Sequence, residues 1–364
     1  MSNQFCRYLS NGYSFMLKNN SLTVSPCCWY KSKTQVNSQL LQNQKLVFKS
    51  ITGWTADCTN CKTLEDSGQQ SLRQTGPDWI SDTENSQDPI TIDLSLDTEC
   101  NAACVMCDQW SSSLWAKENL KLNNKKIKID NITYKIDNAI DQIVNTISLS
   151  KLKYVKFFGG EPLFTDTHLK FIEHIPHPEN VTLHYTTNAS IYPTPETFEV
   201  WKKFQTVIFA ASLDGIEEQF DYVRWPLKWK KVSENLIRLQ QNKTINNIMF
   251  RVEFTANFLN TYYFDRLENW INQNLHMNLS GDKTELNIHH CWGGIWNLEK
   301  MPLGLRDLIL KKYPNDHVMH KLVHNLSRTE STVEWKKFVM TWDSRRASSW
   351  KMAFPELVDL IVLE

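Results

Sequence analysis

From Thr91 onward the chain alternates between two hydrophobic periods, and that alternation limits the folds open to it. Short strand-like runs occur at TIDLSL (from 91), LKYVKFF (152), VTLHYTT (181), TVIFAASL (206), IMFRVEFTA (248) and ELNIHH (285). Between them lie SSSLWAKENL, DNAIDQIVNTI, THLKFIEHI, ETFEVWKKF, WKKVSENLIRLQ and YYFDRLENWINQNL, whose apolar residues recur at helical spacing. Strand and helix in succession predict a parallel sheet with helices outside it. Six such units predict an α/β fold, a partial (β/α)6 TIM-like barrel, with its functional residues where the strands stop.

The nine cysteines add chemistry to that frame. Eight precede residue 108, as a spread group (Cys6, Cys27, Cys28, Cys58, Cys61) and a tight one (Cys100, Cys104, Cys107), and Cys291 stands apart. The N-terminus has no charged-then-apolar signal pattern, and nowhere do about eighteen apolar residues run together, so a cytoplasmic protein without a membrane partner is expected. In a reducing compartment cysteines point to metal binding or catalysis rather than disulfides. Lys plus Arg equals Asp plus Glu at 40 each, so there is no overall basic field and nucleic acid is not an expected partner.

The tight group follows the first strand as C-x3-C-x2-C. Three thiolates can surround one cubane while leaving the fourth iron open to a ligand, whereas structural zinc takes four ligands, usually in C-x2-C pairs. This loop resembles the signature of the radical S-adenosylmethionine (radical SAM) superfamily. The resemblance implies a 4Fe-4S cluster on Cys100, Cys104 and Cys107, S-adenosylmethionine as cosubstrate on the open iron, and reductive cleavage to a 5′-deoxyadenosyl radical that takes hydrogen from a substrate. The second strand ends in FFGGEP, with Gly159 lying 52 residues after Cys107, and Gly159, Gly160, Glu161 and Pro162 resemble the family's GGEP element, whose backbone contacts the methionyl ammonium. Asn188 ends the third strand in TTN. Ser212 and Asp214 in ASLDG resemble the position that contacts cosubstrate carboxylate and ribose. Arg224 resembles the arginine that pairs with that carboxylate, a role suited to its planar fork. Glu253 and Asn257 stand at the end of the fifth strand.

Cys6, Cys27, Cys58 and Cys61 supply four thiolates, enough to close a second, auxiliary cluster, with Cys28 an alternative to Cys27. Their pattern, and the following EDSGQQSLR at 65–73, resemble the twitch module of peptide-modifying radical SAM enzymes. The chain departs from that pattern at Leu22, where a glycine is usual. A zinc site on the same cysteines stays open. At the sixth strand end, Cys291 is a candidate hydrogen donor, and His290, with its neighbour His289, a candidate base. D-x-R-R-x-S at 343–348 resembles the tail of the same twitch-type proteins.

The expected organisation is a twitch-type iron-sulfur module at 1–75, a linker at 76–90, a radical SAM core barrel at 91–295 and a C-terminal helical cap at 296–364. The expected enzyme modifies a peptide or protein by epimerisation, crosslinking or oxidation, and draws electrons from a flavodoxin or ferredoxin. The alternatives are oxidation of a small molecule such as a sugar alcohol or nucleotide-linked compound, and a non-catalytic iron-sulfur or zinc protein.

Overall fold

In a computed structural model the described residues are 6–18, 21–36, 47–48, 50–66, 71–75, 88–122, 136–242, 244–275, 284–291, 296–326 and 334–359. The fold is mixed α/β and rests largely on parallel strands. It divides into two compact units, one of Met1–Cys100, Gln109–Thr186 and Pro193–Ile208, the other of Asn101–Asp108, Thr187–Tyr192 and Phe209–Glu364.

In the first unit the strands are β1 (Gly12–Lys18), β2 (Ser21–Ser25), β3 (Thr34–Gln35), β4 (Thr91–Ser95), β5 (Tyr154–Phe157) and β6 (Thr182–Thr187, whose last residue belongs to the second unit). Their order is β3-β2-β1-β4-β5-β6. The parallel pairs β4·β5 and β5·β6 need crossovers, which include the helices Ala139–Val144 and Thr167–Ile172. Because side chains alternate across a strand, Leu94, Phe157 and Tyr185 share one face, where Phe157 stacks on Tyr185 at 4.9 Å and Phe171 packs edge-on. The opposite face carries Ser14, Asp93, Lys156 and His184 in register.

In the second unit β8 (Ile248–Ala256) pairs in parallel with β9 (Glu285–His290). Phe250, Val252, Phe254 and Ala256 are buried along one side of β8, whereas Arg251, Glu253 and Thr255 form a polar side. The helices Trp229–Gln241 and Phe264–Asn274 bury Val232, Leu236 and Leu239, and Leu267 and Ile271, at the spacing expected of amphipathic helices. β7 (Thr206–Ser212) runs from the first unit into the second.

All six expected strands are present, as β4 to β9. The N-terminal segment differs from expectation: β1 pairs in parallel with β4, Phe15 opposite Leu94. Its alternation of Tyr13, Phe15 and Leu17 makes a strand with an apolar face, and that face is buried by joining the first strand of the βα series. Of the expected linker, 76–87 lie outside the described residues. The C-terminal segment is helical, with Leu303–Lys312, Val318–His324, Glu334–Arg346 and Trp350–Ala353. Among the described residues no helix is long and apolar enough to cross a membrane.

Candidate functional site

The first unit contributes the end of β4 and the GGEP turn. Gly159 has φ +117°, and a Cβ there would meet Ser95 Oγ at 2.2 Å. A Cβ on Gly160 would meet the Glu99 carbonyl oxygen, also at 2.2 Å. The two glycines therefore let the end of β5 lie directly on residues 95–99, the stretch that leads into Cys100. The Glu161 amide donates to Glu99 O at 2.8 Å, and Cys100 N donates to Ser113 Oγ at 3.1 Å. Buried Glu161 turns inward to accept from Leu163 N at 3.1 Å. Pro162 lines a small cavity with Leu94, Asp97, Phe157 and His168.

The second unit holds residues 101–108 of the same loop. Ala103 N donates to Trp225 O at 2.7 Å and Val105 N to Val223 O at 2.8 Å, so the stretch 223–225 pairs with the loop on both sides of Cys104. Arg224, between those two carbonyls, donates from Nη1 to Cys104 Sγ at 3.8 Å and from Nε to Asp214 Oδ2 at 2.7 Å. Asp214 is 0 % exposed, and its other oxygen accepts from Thr255 N at 2.7 Å. Burial pushes the Asp214 carboxyl above its usual range, against the pull of Arg224. Burial also raises the Cys104 thiol, with Arg224 the strongest opposing charge. The sequence suggested Asp214 and Arg224 as direct ligands of a cosubstrate; here they form an ion pair whose guanidinium bridges Asp214 to the middle cysteine.

Asn188 also serves the loop. Its Nδ2 donates to Asn101 Oδ1 at 2.8 Å, its Oδ1 accepts from Ser190 Oγ at 2.6 Å, and Asn101 Nδ2 closes the ring on Ser190 Oγ at 2.9 Å. Asn101, next to Cys100, was not singled out by sequence, although an amide one residue past a ligand is a natural loop anchor. Ser212 is buried where β7 ends.

Residues 95–255 match the family model described as the Radical SAM superfamily. Members of that superfamily are enzymes, and the family implies a 4Fe-4S cluster and S-adenosylmethionine. Solved structures similar to the chain include native anSMEcpe with bound AdoMet and Cp18Cys peptide, at 14% identity over 61% of this chain and 57% of that one, TM-score 0.39. Another is Streptococcus suis SuiB bound to S-adenosylmethionine, at 12% identity over 94% of this chain and 73% of that one, TM-score 0.36. The chain thus spans less than two thirds of the first of them. A search of curated proteins found no match.

The matched segment suits the implied groups by the chemistry of its donors, although among the described residues no group of three or more His, Cys, Asp or Glu side chains is drawn close enough to hold a metal ion. Cys100, Cys104 and Cys107 are free thiols in one short loop whose backbone is tied down around the first two of them. Thiolates are the donor set an iron-sulfur cluster takes, and three leave one iron for a cosubstrate.

Beyond Asp214, the polar side of β8 and β9 holds a pair that the sequence named only in passing. His289 Nε2 hydrogen-bonds Glu253 Oε2, and Asn287 Nδ2 donates to Glu253 Oε1 at 3.2 Å. His290 points to the other side of the strand, where burial lowers its pKa to about 4. Buried Cys291 donates its amide to Ala256 O at 2.9 Å, and burial pushes its thiol up to about 11. As acid or base, His289 is therefore better placed than the expected His290: half exposed and held by a carboxylate.

In the first unit the N-terminal cysteines gather from three segments. Cys6 lies within electrostatic reach of Cys58 and Cys61, and Cys27 within reach of Cys6. Burial pushes the Cys6 thiol up to about 11 and raises those of Cys27 and Cys61. Thr55 Oγ1 donates to Cys58 Sγ at 3.4 Å, while Cys61 receives hydrogen bonds from the Arg73 amide and the Ser71 hydroxyl. Cys28 is turned away to buried Asp93, with which it shares a side-chain hydrogen bond; burial, then Asp93, pushes its thiol up to about 12. Of the two neighbours, Cys27 is the one beside the other cysteines.

Proposed function

We propose that the chain is a radical SAM enzyme in which Cys100, Cys104 and Cys107 hold a 4Fe-4S cluster. The observation that carries this reading is the C-x3-C-x2-C loop inside the matched domain, with Arg224 placed on its middle thiol. When bound, cluster and S-adenosylmethionine supply a one-electron cleavage giving a 5′-deoxyadenosyl radical, with electrons from a flavodoxin or ferredoxin. The protein's own part is positional. Gly159 and Gly160 seat the strand end against the approach to Cys100, Asn188 and Asn101 tie the loop beyond it, and the Arg224–Asp214 pair fixes a cation at Cys104. Ser212, Glu161 and Pro162 are the further candidates to flank the cosubstrate.

The proposed substrate is a peptide or protein, because the N-terminal cysteines have the composition of an auxiliary cluster, held by Cys6, Cys27, Cys58 and Cys61. A second reading, oxidation of a small alcohol, is favoured by the Glu253–His289 pair, which can take the proton released when a hydroxyl-bearing carbon is oxidised. In either case anaerobic incubation with S-adenosylmethionine and a strong reductant produces 5′-deoxyadenosine in wild type and none in Cys104→Ala. Equal product from both proteins would defeat the assignment.

A further inference from the structure

The C-terminal helix Glu334–Arg346 ends in the D-x-R-R-x-S stretch, for which the proposed chemistry gives no role. Within the second unit its last residue, Arg346, is only 6 % exposed. The guanidinium lies 3.5 Å from the ring centre of Trp342 and 4.6 Å from that of Trp225, a cation held between two indoles. Trp225 is also the residue whose carbonyl receives Ala103 N, and it follows Arg224, whose Nη1 reaches Cys104 Sγ. The placement is fixed from several sides. Ala347 adopts φ 48°, a left-handed conformation unfavourable for a non-glycine residue, and the helix ends there. Asp343 accepts from Trp350 N with both oxygens at 3.1 Å, which ties the end of this helix to the helix that follows it.

We infer that Arg346 is a positioning residue of the cluster site: stacked on Trp225, it clamps the 223–225 stretch onto the cysteine loop and so holds the Arg224 guanidinium at Cys104. The inference rests on the proposed cluster. Reduction adds negative charge, so a desolvated cation beside a ligating thiolate raises the reduction potential. Arg224 is that cation, and it stays at Cys104 Sγ only while the 223–225 stretch is held against the loop.

The test uses the full-length protein, reconstituted anaerobically, with an EPR-monitored redox titration of the signal that changes when S-adenosylmethionine is added. Arg346→Gln is expected to shift that potential to more negative values, leaving severalfold less reduced cluster at a fixed potential. Arg346→Lys, which keeps the charge, should stay near wild type, as should Arg345→Gln, which removes an exposed charge from the same helix. If Arg346→Gln does not fold or load iron, the lysine variant decides: an unchanged potential supports the inference, and a lost or displaced one overturns it. Equal potentials in wild type and Arg346→Gln also overturn it. A wild type with no S-adenosylmethionine-responsive signal overturns the proposed function, and this inference with it.

Discussion

The two groups of cysteines are brought to their places by opposite routes. The central three are close in sequence and need only a loop held in shape, which hydrogen bonds from residues 223–225, Ser113 and Asn188 provide. The N-terminal four come from three separate segments, whose placement depends on β1, β2 and the helix Thr59–Asp66. Their electrostatics differ as well. Cys104 receives Arg224 Nη1 at its sulfur, whereas Lys33 Nζ reaches only the backbone carbonyls of Cys27 and Cys28.

The sharpest way to break this comparison is to remove one set at a time. Cys58→Ala/Cys61→Ala is expected to lose about four irons per chain while still cleaving S-adenosylmethionine. Loss of cleavage there would mean that the two sets are not separable. Next in size is Arg224→Met, which leaves the fully buried Asp214 without its cation and should cost about 3–5 kcal/mol in urea unfolding. A cost within experimental error would show that the pair is not closed in solution. Glycine substitutions test how each set is braced. Gly160→Ala drives a Cβ to 2.2 Å from a backbone oxygen and should destabilise by about 3 kcal/mol or more. Gly12→Ala, whose Cβ would meet Pro26 O at 2.7 Å just before Cys27, should cost less, about 1–2 kcal/mol. Thermal melts of the two variants check the order. The smallest effect is local: Cys28→Ala should keep the N-terminal irons that Cys27→Ala loses, as counted by iron assay.

Much of this was legible in the sequence where it depends on local pattern. The six βα strands follow from alternation, and the loop from the spacing of Cys100, Cys104 and Cys107. What escaped depends on contacts between distant residues. Nothing in GYSFMLK says which strand it will pair with, and the ten residues between Asp214 and Arg224 do not show that Arg224 Nε and Nη2 turn to that carboxylate. The stacking of Arg346 on Trp225 joins residues far apart in sequence. The preference for His289 over His290 was recoverable, since alternation on β9 places His289 with Asn287, opposite the β8 face that carries Glu253.

The most direct test of the central claim is anaerobic reconstitution of wild type and of Cys100→Ala/Cys104→Ala/Cys107→Ala, with iron counts and 5′-deoxyadenosine measured together. The account predicts about eight irons in wild type, about four in the variant, and product only from wild type. Iron-loaded wild type that yields no 5′-deoxyadenosine under strong reduction would contradict it.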